Sequence, residues 1–197
     1  MPPASSLVLE NLALARGDRT LFAGFSLAIA AGEVVHLTGR NGAGKTSLLE
    51  AIAGLRPAEA GHIAGPAPEA VHWVGHKNGL HPALSAVENL SFWCGLAGVD
   101  AQRIGPVLDR LQLKAARQRP VRTLSTGQKR RTALARLLLQ ARPWWLLDEP
   151  LAGLDVEGAG LFAELVAGHR AEGGSVLVTS HQALPAACGV VRDVRLA

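Results

Sequence analysis

The sequence predicts an α/β fold with a mainly parallel sheet as its core, an antiparallel β layer beside it and an inserted helical subdomain. Three observations predict this. A glycine-rich loop, Gly39-Arg40-Asn41-Gly42-Ala43-Gly44-Lys45-Thr46, sits between a short apolar run and a helical pattern. Late in the chain, apolar runs at Trp144–Leu147 and Ser175–Ser180 alternate with helical patterns, as strands buried on both faces do. Early in the chain, Leu7–Leu14 and Phe25–Ala30 alternate apolar and polar residues, as strands with one open face do.

The elements follow in order. Leu7–Leu14 and Phe25–Ala30 read as strands, and Ala31-Gly32-Glu33 as a turn. Val34–Thr38 reads as a buried strand leading into the glycine-rich loop. The helix beginning near Ser47 ends at Gly54, a good C-cap residue, with Pro57 beyond. Gly61–Gly65 and Val71–Val74 read as two further strands. From His81 to about Arg119 the pattern is helical, with Val87, Leu90, Phe92, Trp93 and Leu96 forming one apolar face. Ile104, Leu108, Leu111 and Leu113 form another. Ser125–Ala141 reads as a long helix with Leu134, Leu137 and Leu138 at core spacing. Trp144–Asp148 is a buried strand ending in a carboxylate, Leu161–Val166 marks a helix, Ser175–Ser180 is a buried strand, and Val190–Leu196 closes an edge. The 197 residues make one domain, with residues 1–80 and 143–197 as its core and 81–142 as the helical subdomain.

Composition narrows the function classes. No apolar run approaches the ~18–20 residues of a membrane helix, and Met1–Ser6 lacks the charged and apolar regions of a secretory signal. A soluble, cytosolic chain is expected. Cys94 and Cys188 form no metal or redox spacing and read as reduced and structural. The net charge of +4 is unevenly placed: nine basic residues and no acidic one lie between Lys114 and Arg142. That stretch fits nucleic acid, a phosphate-facing or membrane-proximal face, or a solvated basic surface.

The glycine-rich loop fits G-x-x-x-x-G-K-[ST] in the strand–loop–helix setting that the motif needs. Its backbone N–H groups and the following helix N-terminus, from Lys45 through Ser47, favour anionic oxygens. Lys45 can reach β- and γ-phosphates, and the Thr46 hydroxyl can sit on Mg²⁺. Asp148 closes a strand at the same sheet edge and can hold Mg²⁺. Glu149, pointing elsewhere by strand alternation, can orient or deprotonate a water. Ser125 and Gln128 fit a capping box, so Leu124–Gln128 is a helix start by itself. With the Gly127 amide it is also a possible second anion site. His181, after the strand Ser175–Ser180, can contact a γ-phosphate. Leu154-Asp155 is unremarkable alone.

The order of these features is informative: P-loop, LSTGQ, a strand with Asp-Glu, Leu-Asp, then a strand with His. In this the sequence resembles the ATP-binding-cassette (ABC) ATPases along nearly its whole length. The resemblance implies a P-loop NTPase fold that binds and hydrolyses ATP with Mg²⁺. It implies a head-to-tail dimer in which Ser125, Gly127 and Gln128 of a second copy close over ATP on Gly39–Ser47. It also implies Glu149 as catalytic base, His181 as γ-phosphate contact and Asp155 as dimer-crossing loop residue. The basic stretch around the signature then faces a triphosphate, and no nucleic-acid partner is expected.

Two positions depart from the family's usual pattern. Arg16 stands where an adenine-stacking aromatic is usual, and a guanidinium plane can stack on a base. His76 stands where a glutamine usually links metal and water to the membrane partner, which predicts a pH-sensitive coupling step. Within the family the chain is most similar to the haem-exporter ATPases of cytochrome c maturation. Gly75–Leu80, Glu88-Asn89-Leu90, Arg16 and Leu124–Arg131 carry that similarity.

The subgroup implies a subunit peripheral to the cytoplasmic side of the bacterial inner membrane, working on integral membrane partners of a haem-handling complex. Gly75–Leu84 and the helix holding Phe92 and Trp93 would transmit the stroke, with core packing as the plainer role for those two aromatics. An end at residue 197 leaves no fused membrane or regulatory domain. The alternatives are the ATPase subunit of another small-solute ABC transporter and a soluble, non-transport ATP switch.

Overall fold

The computed structural model describes residues 5–196, so the opening residues read for a signal lie largely outside it. Five strands form a wholly parallel sheet in the order β5-β6-β7-β3-β8, with β3 Val34–Thr38, β5 Val71–Val74, β6 Trp144–Asp148, β7 Ser175–Thr179 and β8 Arg192–Arg195. An antiparallel sheet in the order β2-β1-β4 lies beside it, with β1 Leu7–Arg16, β2 Arg19–Ile29 and β4 Ala60–Ala64.

The apolar runs without alternation supply two cores at once. Along β6, Trp144 and Leu146 enter one cluster with α1 (Lys45–Ile52) and β1, while Trp145 and Leu147 enter the other. That second cluster holds α2 (Ala86–Ala97), α3 (Ile104–Arg110), α4 (Thr126–Leu139) and α5 (Val156–Ala171). Strand side chains alternate between faces, so a strand covered on both sides must be apolar at every position.

Strand β2 begins at Arg19, six residues before the expected start. Arg19, Thr20, Ala23 and Gly24 are exposed, so the alternation that marks a half-buried strand is faint there. In β1 the left-handed Asn11 (φ 49°) and the register shifts around it break the period. Helix α2 also departs from the reading. Leu90 and Cys94 are buried, but Phe92 and Leu96 are 68% and 75% exposed. At 100° per residue, positions 92 and 96 lie across the helix from 90 and 94, so one face cannot hold all of them. Trp93 is partly buried and packs on the core; core packing therefore accounts for Trp93 and not for Phe92. Cys94 and Cys188 are free and buried, and burial pushes the Cys188 thiol up to about 11.

Two core histidines set an acid limit. His72 on β5 bonds the Gln140 carbonyl at 2.7 Å through Nε2, and His169 on α5 stacks on Trp145 with centroids 3.8 Å apart. Burial lowers both to about 4. In the unfolded chain they bind protons from about pH 6.5, so the unfolded state holds more protons between about 4 and 6.5 and stability falls as pH falls through that window. The pair accounts for a loss of several kcal/mol, at most about 6, between pH 7 and pH 4. Urea unfolding at those pH values measures it, and His169→Phe, which keeps the stack, should shrink the pH dependence by about half.

Candidate functional site

Adjacent strands β6, β7 and β3 end at one edge of the parallel sheet, and that edge gathers the chemistry. The glycine-rich loop leaves β3 and feeds α1. A Cβ on Gly39 (φ 151°) would sit 2.6 Å from the Leu196 carbonyl oxygen, and one on Gly44 (φ 104°) would press on Phe22 and Leu21. Only glycine lets the loop run this close to its neighbours. Lys45 is buried, and its Nζ donates to the carbonyls of Gly39 at 2.8 Å and Arg40 at 3.2 Å, which holds the ammonium over the loop. Ala43 N–H also donates to the Arg40 carbonyl, closing the turn.

Asp148 ends β6 and is 1% exposed. Its Oδ2 accepts from Thr46 Oγ1 at 2.9 Å and its Oδ1 from Thr179 Oγ1 at 2.7 Å. A buried carboxylate beside a reorientable hydroxyl is a hard-oxygen donor set of the kind Mg²⁺ takes, so Thr46 and Asp148 fit that ion.

Glu149 is aimed by its backbone rather than by strand alternation. It lies outside β6 in the left-handed region (φ 51°), and its N–H reaches both the carbonyl and the hydroxyl of Thr179 at 3.1 Å. A non-glycine residue there is strained and is held by such bonds. Its Oε2 accepts from the His181 N–H at 3.2 Å. Its Oε1 is buried 3.4 Å from His181 Nε2 and makes no hydrogen bond among the described residues.

These groups share one cleft of about 380 Å³. Asn41, Gly42 and Gly44 through Ser47 form one wall, and Arg16 and His76 stand on it with Asp148, Glu149 and His181. Gly39 faces a neighbouring cavity instead. Arg40 and Ala43 do not line the cleft, and the four candidates from the later motifs lie outside it. Ser125 and Gln128 close a capping box at the start of α4. A Cβ on Gly127 would lie 3.0 Å from the Gly153 carbonyl, so the α4 start packs on the segment after Pro150. Asp155 caps α5, its Oδ1 accepting from Gly158 N–H at 2.8 Å.

The basic stretch does not face a ligand as a unit. Arg130 is 2% exposed and spends its guanidinium on the chain itself: the carbonyls of Asp148 at 2.7 Å, Pro150 at 3.2 Å and Gly75 at 2.8 Å, and Asn78 Oδ1 at 3.1 Å. Burial lowers it to about 10, so it stays charged at neutral pH. Arg136 donates to the carbonyls of Asn78 and Gly79, and Arg131 to that of Leu111. Carbonyls left over by irregular segments need donors, and a planar fork satisfies several at once. Arg130, which holds the Asp148 carbonyl from behind the cleft, is a structural residue that the sequence reading missed. The available signal was its place on the same helix stripe as Ala133, Leu134 and Leu137, where a charge is out of pattern.

Comparison with known proteins bears on the family and the fold. The profile of a family described as ABC transporter matches residues 22–152. A cytochrome c biogenesis ATP-binding export protein CcmA from Hyphomonas neptunium is 47% identical over 180 residues, covering 91% of this chain and 92% of the relative. The protein of the same name from Cereibacter sphaeroides is 44% identical over 188 residues, covering 95% and 88%. Among solved structures, a putative ABC transporter ATP-binding protein from Pyrococcus furiosus superposes with a TM-score of 0.82 at 22% identity, covering 98% of both chains. An ATP-binding cassette described as a dimer in a post-hydrolysis state with ADP and phosphate gives 0.78 at 23% identity, covering 89% and 88%. Those two establish the fold.

Proposed function

We propose a role in cytochrome c maturation for this chain, which belongs to the ABC transporter family and hydrolyses ATP. The observation that carries the role is the identity of 47% and 44% to cytochrome c biogenesis export proteins across nearly the whole length. In this reading the chain powers haem export, or release of a haem-loaded chaperone, from the cytoplasmic side of the bacterial inner membrane. No helix among the described residues is long and apolar enough to cross a membrane, and in this reading integral membrane partners supply the translocation path.

The residues divide the work as follows. Gly39–Ser47 bind the triphosphate through backbone N–H groups, with the Lys45 ammonium turning from its two carbonyls to the β- and γ-oxygens. Thr46 and Asp148 would hold Mg²⁺, which supplies neutralisation of phosphate charge when bound. Glu149 Oε1 takes the proton of the attacking water, and His181 steadies the γ-phosphate. Arg16 stacks on the base, and His76 senses the cleft from the membrane-facing segment. Ser125, Gly127 and Gln128 lie outside their own cleft at a helix N-terminus, which suits them to close the cleft of a second copy. Asp155 sits at that same boundary.

Purification of the full chain from detergent-solubilised membranes tests the role. Recovery with integral membrane proteins of a haem-chaperone release complex is the expected result. Recovery with the permease of a small-solute transporter would replace it, as would a chain that never enters the membrane fraction.

A further inference from the structure

Behind the cleft, the segment that carries His181 is fastened by a residue to which neither the motif order nor the family match gives a task. His36 lies in the middle of β3, its side chain 7% exposed. The parallel register sets Asp193 of β8 directly beside it, with Oδ1 2.8 Å from His36 Nδ1. On the other side, His36 Nε2 lies 3.1 Å from the Ser180 carbonyl oxygen. The peptide unit that owns this carbonyl also carries the His181 N–H, the donor to Glu149 Oε2 at 3.2 Å. One peptide plane thus joins His36 to Glu149, its carbonyl held from behind and its N–H spent on the carboxylate in front.

Packing does only part of this job, although Ser180 itself is buried. A cavity of about 570 Å³ runs behind the segment, lined by His36, Asp193, Gly39 and the chain from Ser180 to Pro185. With open space on that side, the position of the Ser180–His181 peptide rests on its hydrogen bonds. Both partners of the imidazole are acceptors, and Asp193 fixes the ring plane that aims Nε2 at the Ser180 carbonyl. A hydrogen bond to a carboxylate is charge-assisted and stronger than a neutral one, so Asp193 is a firm anchor for the ring.

We infer that His36, oriented by Asp193, is a positioning residue for hydrolysis that sets Glu149 and His181 through the Ser180–His181 peptide. This rests on Glu149 acting as base and His181 as γ-phosphate contact. The loop that grips the nucleotide does not depend on the peptide, so loss of His36 should slow turnover and leave nucleotide affinity in place.

The test is a double-mutant cycle on the full-length chain with its co-purified membrane partners. His36→Phe, which keeps a ring and removes both ring nitrogens, should lower kcat by about tenfold, the scale of a small misplacement of a reacting group. The dissociation constant for a fluorescent ATP analogue should stay within about twofold of wild type. Asp193→Ala, a change at a side chain 74% exposed, should preserve the fold and lower kcat about threefold. With Glu149→Gln already in place, His36→Phe should cost little more, because both act on one step. Unchanged kcat in both single variants overturns the inference, as does a His36→Phe loss that persists in full in the Glu149→Gln background. Wild-type turnover in Glu149→Gln alone is a separate outcome: it removes the base assignment, and with it this inference.

Discussion

Glu149→Gln is expected to keep ATP binding and lose turnover by about 10²- to 10⁴-fold, the range for removal of a general base. The expectation comes from how each oxygen is used. Oε2 is engaged by the His181 N–H, a bond that a glutamine oxygen can still accept. Oε1 is the atom left for a water, and an amide in its place cannot take a proton. Nothing in Gly39–Ser47 touches this side chain by hydrogen bond, so the grip on phosphate should survive. Single-turnover phosphate release against fluorescent-nucleotide binding separates the two effects. Turnover within about threefold of wild type would remove Glu149 from the mechanism.

Arg130→Ala is expected to destabilise the fold by about 3–5 kcal/mol, among the largest effects of any single change in this chain. Truncation leaves the carbonyls of Asp148, Pro150 and Gly75 and the Asn78 side chain without the donor they share, in a place water reaches poorly. Each buried acceptor stranded this way costs about 1–3 kcal/mol, less whatever rearrangement recovers. Arg130→Lys should recover only part, since an ammonium cannot span the same fork. Arg122→Ala, an exposed basic neighbour, should change stability by less than about 0.5 kcal/mol. Urea unfolding measures all three. A loss below about 1 kcal/mol for Arg130→Ala would mean that solvent satisfies those carbonyls instead.

Some of this architecture was legible in the sequence because the information was local. Val34–Thr38 is apolar apart from His36 and Thr38 and runs straight into a glycine pattern, so strand, loop and helix read together. Trp144–Leu147 had no alternation, which itself said that both faces are covered. The cleft also gathers residues from both ends of the chain, Arg16 with His181. What stayed hidden depends on partners distant in the chain. His36 looked like one more buried strand residue because Asp193 lies 157 residues away. The arginines of α4 looked like a basic surface, since a count of charges cannot tell a solvated guanidinium from one folded onto carbonyls. Glu149 was placed by strand parity, and one left-handed residue was enough to redirect it. The exposure of Phe92 was hidden by an aromatic-rich helix whose apolar residues exceed the width of one face.

The sheet order carries a consequence for how the molecule is made. Strand β3, which launches the glycine-rich loop, is flanked by β7 and β8, so both of its neighbours come from the chain beyond residue 174. During synthesis the loop emerges long before either of the strands that flank β3. Long-range parallel pairing of this kind is slow and comes late. A nascent chain therefore carries the phosphate-binding sequence long before it has the scaffold that shapes it. Nucleotide capture has to wait for β7 and β8, and until they arrive the apolar β3 is a natural client for a chaperone.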